Sequence, residues 1–399
     1  GTTTLTGDSY GKSSNNYKGY GNSVLTTKTL THQGDVSLVR TEVHTDETVL
    51  VDGKTFTLKG GDVMQLGDIS GTGTLELLQV DRNTSTNVQA TSVNGSHVMV
   101  GDDSTFILSG EAGKESQLTV SYSNGGTGTV VLGDGVRTGD DERDTLVSSS
   151  SFDIYALEVK GDASLKVSSA GNITSLTVAE GGDFSMFDGT AFTLGTVTNN
   201  GTMVLGNGEL TDEEKDTVVT MSAIAEIGQL QVLRDASLKL QDGSALKGTI
   251  LNDGAISCTT ITAAQNLTLS GTGSLDADSL TINEGITVGL NGTATIDHFV
   301  NSGILKLGDG ELTDGKRDTV LDLSGASAPY TIQSGTLQIG RDAALITGAD
   351  NALVISSSST IAGGLDAGEI QLSEGVTLTI QDSTDVAISK MASKTDGTD

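Results

Sequence analysis

Leu280-Thr281-Ile282-Asn283-Glu284-Gly285 is a short strand that alternates apolar and polar residues and stops at a glycine turn. The phrase returns as Leu176-Thr177-Val178-Ala179-Glu180-Gly181 and as Ile370-Gln371-Leu372-Ser373-Glu374-Gly375. A period of two buries one face of a strand, and the closing Gly suits a tight turn. A phrase that recurs along one chain marks a repeat architecture, whose units pack on their neighbours.

Other units recur around it. Asn followed within two residues by Gly opens a strand at Asn200-Gly201-Thr202-Met203, at Asn252-Asp253-Gly254-Ala255 and at Asn301-Ser302-Gly303-Ile304. A strand, an Asp-Ala turn and a second strand stand at Leu157-Glu158-Val159 with Asp162-Ala163, at Leu230-Gln231-Val232 with Asp235-Ala236, and at Leu337-Gln338-Ile339 with Asp342-Ala343. The most distinctive unit is a loop. Leu205-Gly206-Asn207-Gly208 runs on to Asp216-Thr217-Val218, and Leu307-Gly308-Asp309-Gly310 runs on to Asp318-Thr319-Val320. Leu132-Gly133-Asp134-Gly135 reaches Asp144-Thr145-Leu146 as a more divergent copy.

The composition agrees with a thin, regular core. The 399 residues hold 53 Gly, one Pro, no Trp and 3% aromatics. Aromatic side chains usually supply much of a core, so stacked aliphatics must replace them. Disordered chains avoid β-branched residues, whereas Val, Ile and Thr alternate throughout this one. A lone Pro fits a ladder that needs every N–H donor. Multi-unit repeats with unequal insertions separate a solenoid from a sandwich or barrel. The reading is all-β: a right-handed parallel β-solenoid (β-helix).

Four stretches differ in texture. Residues 1–30 form an N-terminal arm or cap that carries Tyr10, Tyr17 and Tyr20 in Gly/Ser/Asn-rich sequence. Residues 31–125 are a less regular β region continuous with the solenoid, 126–388 are regular repeats, and 389–399 are a polar tail. The chain starts at Gly1 without the charged and apolar segments of a signal peptide, and no apolar run reaches the ~18 residues of a membrane span. Any signal peptide has been removed or left out; the composition points to a secreted protein, extracellular or at the bacterial cell surface, with no membrane insertion in this segment. A formal charge of −30 repels nucleic acid and anionic lipid.

The Gly71-Thr72-Gly73-Thr74-Leu75 phrase, the Asn-Gly strands and the Leu176–Gly181 phrase resemble the passenger domains of bacterial autotransporters, the pertactin-like surface β-helices. The likeness is one of repeat style over about residues 60–388. It implies export to the cell surface and an adhesive or architectural role. The partner is then a host or cell-surface ligand, or the chain itself.

Candidate chemistry is sparse. The acidic loop offers oxygen ligands for Ca²⁺ at Asp309, Glu311, Asp314 and Asp318, matched by Asn207, Glu209, Asp212 and Asp216 in the previous copy. Calcium wants about six to eight oxygens, and the spacing matches no EF-hand. Lys215 and Arg317, beside the last Asp of each loop, suggest a turn that neutralises itself. A polysaccharide lyase or hydrolase is the enzyme alternative, yet a chain without Trp lacks the usual aromatic platform for sugar. The four His (His32, His44, His97 and His298) lack ligand or triad spacing. Gly7-Asp8-Ser9-Tyr10-Gly11 matches the nucleophile-elbow pattern but has neither a strand before it nor a helix after it. Cys258 is read as an inward strand residue. The sequence thus predicts no catalytic residues, no required cofactor, and self-association through the chain ends or the Tyr10, Tyr17 and Tyr20 arm. With ~20–30 residues per coil and ~4.8 Å per strand step, a rod of roughly 60–95 Å is expected. Small-angle scattering checks this, and a compact sphere excludes it.

Overall fold

Apolar side chains recur from coil to coil in this sequence because each strand lies parallel to the strand one coil away. The computed structural model describes residues 2–5, 23–78, 86–101, 104–110, 115–122, 127–136, 145–168, 170–187, 191–210, 216–241, 246–312, 316–325, 330–381 and 385–393. They form 33 β-strands and, among the described residues, no helix. The fold is a parallel β-solenoid of stacked coils, in two compact units, Gly1–Val204 and Leu205–Asp399.

In the first unit one inward file runs Val36, Phe56, Leu75, Val98, Val120 and Phe152, each residue in register with the next. All are buried. A second file runs Val88, Phe106, Val130, Leu157, Leu176 and Val197. The region 31–125 coils in the same way. Its irregular texture corresponds to register slips, as between Asn94 and His97 or between Gly61 and Met64.

The second unit stacks Val219, Leu238, Ile256, Leu275, Ala294, Leu321, Leu345 and Leu365 in one file. Every member is buried. The core is mostly aliphatic, as composition requires, but the few aromatics are not left outside: six of the seven Phe are fully buried. Each stacks in register within its file, as Phe56 does on Leu75, Phe184 on Leu165 and Phe299 on Leu280.

Corners carry the recurring turn phrases. Gly181, Gly285 and Gly375 take φ of 83°, 76° and 73°, the left-handed region that closes each Glu-Gly turn. In the Asn units the bonding residue is one place earlier than the Asn200-Gly201 pair suggests. Gly201 N donates to Asn199 Oδ1 at 3.1 Å, as Gly303 N donates to Asn301 Oδ1 at 2.9 Å. Both asparagines are buried, with their polar groups bonded into the corner.

At the chain ends, the strand Ser23–His32 occupies most of the later half of the arm, and Thr2–Leu5 pairs with it in parallel. Tyr10, Tyr17 and Tyr20 lie outside the described residues. Residues 389–393, which read as tail, continue the strand Val386–Ser393, where Lys390 stands on Glu369 and meets its carboxylate at 3.0 Å.

The files make a quantitative prediction. Leu345→Ala empties a fully enclosed place between Leu321 and Leu365 and should cost about 2–5 kcal/mol. Gln338→Ala, on the exposed face of a neighbouring strand, should stay within about 0.5 kcal/mol. Urea unfolding of the two variants measures the contrast.

Candidate functional site

The loop found three times in the sequence is held by a second repeated residue, the aspartate of the Asp-Ala turn. Asp162, Asp235 and Asp342 are buried, an expensive place for a carboxylate unless it is bonded. Asp342 Oδ2 accepts the N–H of Asp309 at 2.9 Å, and its Oδ1 accepts that of Gly310 at 2.7 Å. Asp235 takes the N–H groups of Asn207 and Gly208 at 2.9 and 2.6 Å. Asp162 takes those of Asp134 and Gly135 at 3.1 and 2.7 Å. A carboxylate presents two acceptor oxygens, and two N–H groups aimed at one carboxylate are charge-assisted bonds.

The loop then folds on itself. Asp134, Asn207 and Asp309 each accept, through Oδ1, the N–H two residues on, at 2.7, 2.7 and 2.8 Å. The returning strand is tied to the same aspartates, since the N–H groups of Thr145, Thr217 and Thr319 donate to the carbonyls of Asp162, Asp235 and Asp342. One residue therefore holds both ends of each excursion. Gly133, Gly206 and Gly308 make the approach possible. Their φ values are 87°, 88° and 74°, and a Cβ at any of them would sit 2.3 or 2.4 Å from the clamping carboxylate.

This clamp was legible only in halves. The loop and the Asp-Ala turn are both visible as repeats, but the 28 to 33 residues between them hide the pairing. The signal was available: each loop copy is followed by one Asp-Ala copy, in the same order.

The proposed Ca²⁺ ligands are placed as follows. Asp309 is engaged in its own turn, and Glu311 is exposed beside it. Asp318 accepts from Thr319 Oγ1 at 3.4 Å and donates its N–H to the Asp342 carbonyl. Asp314 and Asp212 lie outside the described residues. Among the described residues, no group of three or more His, Cys, Asp or Glu is arranged to hold a metal. Arg317 reaches beyond its own loop to Asp385, where Nη1 donates to Oδ2 at 2.6 Å.

The histidines are dispersed. His32 is buried against Phe56, with Nδ1 on the Gly34 carbonyl and Nε2 toward the Val51 N–H. His298 packs edge-on to Tyr330. His97 lies 2.8 Å from Ser121 Oγ through Nε2, a contact the sequence did not suggest. Burial holds the His97 pKa below its ordinary 6.5. A nucleophile and base also need an orienting third group, and among the described residues no carboxylate is bonded to this imidazole. Cys258 does occupy an inward file, between Leu240 and Ala277, but remains half-buried. Burial, then Asp276 and Asp278, push its thiol up to about 12.

Two features face outward and are free to meet a partner. Each clamped loop displays one apolar side chain, Val136, Leu210 or Leu312, with 62%, 43% and 48% of its surface exposed. Beside the third loop a cleft of about 360 Å³ is lined by Lys306, Asp309, Gly310, Gln338 and Thr360. A cleft of about 380 Å³ in the first unit, lined by Asp46, Gln65, Asp68 and Gln89, has no cation. Comparison with protein families, with curated proteins and with solved structures found no match.

Four outcomes follow. Asp342→Ala removes the acceptors of the Asp309 and Gly310 N–H groups and should speed proteolytic cleavage between residues 309 and 318. Asp309→Asn should be near neutral, because Asn207 already serves at that place in the second copy. Because the folded-state pKa of His97 is lowered, the unfolded chain binds the proton more tightly, and its stabilising share is lost as pH falls below about 6.5. Denaturation of His97→Gln against the native chain at pH 8 and pH 5 measures this, the gap narrowing at the lower pH. Cys258 should react with a thiol reagent at pH 8 at least tenfold more slowly folded than in denaturant, since only the thiolate attacks.

Proposed function

We propose that this chain is a secreted or cell-surface structural and adhesive β-solenoid of the autotransporter-passenger kind, without catalytic residues. The observation that carries the reading is the triplicate clamp. A regular scaffold repeatedly uses a buried Asp and a glycine to fix a loop that presents an apolar side chain to solvent. Loops held on a rigid frame are where binding residues concentrate. A catalytic loop would place reactive groups there instead. The formal charge of −30 suits exposure at high local concentration, keeping copies apart except where a specific contact brings them together. In its polymeric form, the same reading takes a second copy as partner, docked through the arm that bears Tyr10, Tyr17 and Tyr20.

The test is adhesion. Bacteria displaying the chain should bind host-cell or matrix-coated surfaces better than bacteria without it, and protease treatment of intact cells should abolish the gain. Asp235→Ala and Asp342→Ala together should reduce it while the purified protein remains folded. Equal adhesion with and without the chain overturns the reading, as does reproducible release of oligosaccharides by the pure protein. Sedimentation of the native chain against one lacking residues 1–30 tests the polymeric form; a strictly monomeric native chain rules it out.

A further inference from the structure

The second unit carries one outward file unlike its neighbours. Thr249, Thr268, Gly289, Lys306, Gln338, Thr360 and Thr379 stand in register on successive strands. Side chains on such a file point the same way at ~4.8 Å intervals. The file is hydroxyl and amide throughout, apart from one cation and one gap. Lys306 makes no ion pair among the described residues, although the chain carries an excess of 30 negative charges.

The gap is Gly289. Its φ is not in the left-handed region, and a Cβ there would meet only Thr268, at 3.7 Å. Neither conformation nor crowding calls for glycine at this place. A glycine inside a strand weakens it, and one without such a reason marks close approach by something else. On the other side of Lys306, the third clamped loop rises at Gly308–Gly310 and walls the cleft of about 360 Å³, within the ~300–1,000 Å³ of small-molecule sites.

The corresponding places beside the first loop are Val131, Glu158 and Thr177, with Glu158 paired to Lys160. Beside the second, Gln231 stands in register with Leu251. Among the described residues, the all-polar track with an unpaired lysine lies beside the third loop alone.

We propose that this file binds an acidic polysaccharide lying along it, with Lys306 holding a sugar carboxylate and Gln338 and Thr360 bonding hydroxyls. Gln and Thr both donate and accept, as recognition of hydroxyls requires. One cation among seven rungs calls for sparse charge, such as one carboxylate on every second sugar. Phosphate is disfavoured because the backbone N–H groups of Asp309 and Gly310, which would cradle it, are already bonded to Asp342. Densely charged polyanions are repelled by the net field. The inference rests on the adhesive reading and names its ligand class.

The experiment is calorimetric titration of the pure protein with hyaluronan octasaccharide, its carboxyl-reduced neutral counterpart, heparin and polyphosphate. Binding is expected for hyaluronan and at least tenfold weaker for the other three. Lys306→Gln and Gly289→Leu should each weaken hyaluronan binding at least tenfold with unchanged melting temperature, whereas Lys239→Gln, on a different file, should leave it intact. Absence of hyaluronan binding overturns the proposal, as does equal binding by Lys306→Gln or tighter binding of heparin or polyphosphate. If displaying cells adhere and Lys306→Gln cells adhere equally well, the track fails while the adhesive reading stands; if neither adheres, both fail.

Discussion

A backbone that hydrogen-bonds to itself one coil away sets each side chain directly against its counterpart. A residue is then acceptable only if it can stack on what the adjacent coil offers. Most of what distinguishes this chain follows. Val, Leu and Ile stack on their own kind, so the file of Leu238 to Leu365 needs no aromatics. Nearly every N–H is needed by a ladder, so Pro is almost absent. Corners must turn tightly with their polar groups satisfied, so Gly and buried Asn recur there.

The clamp answers the problem that insertions raise in such a structure. An excursion from a coil leaves N–H groups that no adjacent strand can satisfy, and buried orphans are costly. Asp162, Asp235 and Asp342 supply both oxygens of a carboxylate to the first N–H groups of the loop and their own carbonyls to its return. The chain's acidic residues therefore include two populations. Among the described residues, most are solvated and set the charge of the surface, while these three are buried and fix loop geometry.

That division bears on function. At the third loop, Asp309 forms a turn and Asp342 clamps it, a pair that the sequence reading had not linked. The loop is thereby held fixed and walls the cleft that the outward file lines. Lys306 stands between Gly289 and Gln338 in register on one outward file.

From the sequence alone, the alternation in Leu280–Gly285 and its copies determined the strands, their inward faces and the repeat, because a period of two needs no partner to be visible. The glycine turns and the mostly aliphatic core were legible for the same local reason. The tertiary structure decided what depends on register across a coil. It paired Asp342 with a loop 33 residues earlier, chose Asn199 over Asn200 at a corner, and sent Arg317 to Asp385, 68 residues on. It also aligned seven residues from Thr249 to Thr379 into one polar track. Coils of unequal length leave no fixed sequence offset between such partners, so their meeting is set by the stacking of the backbone.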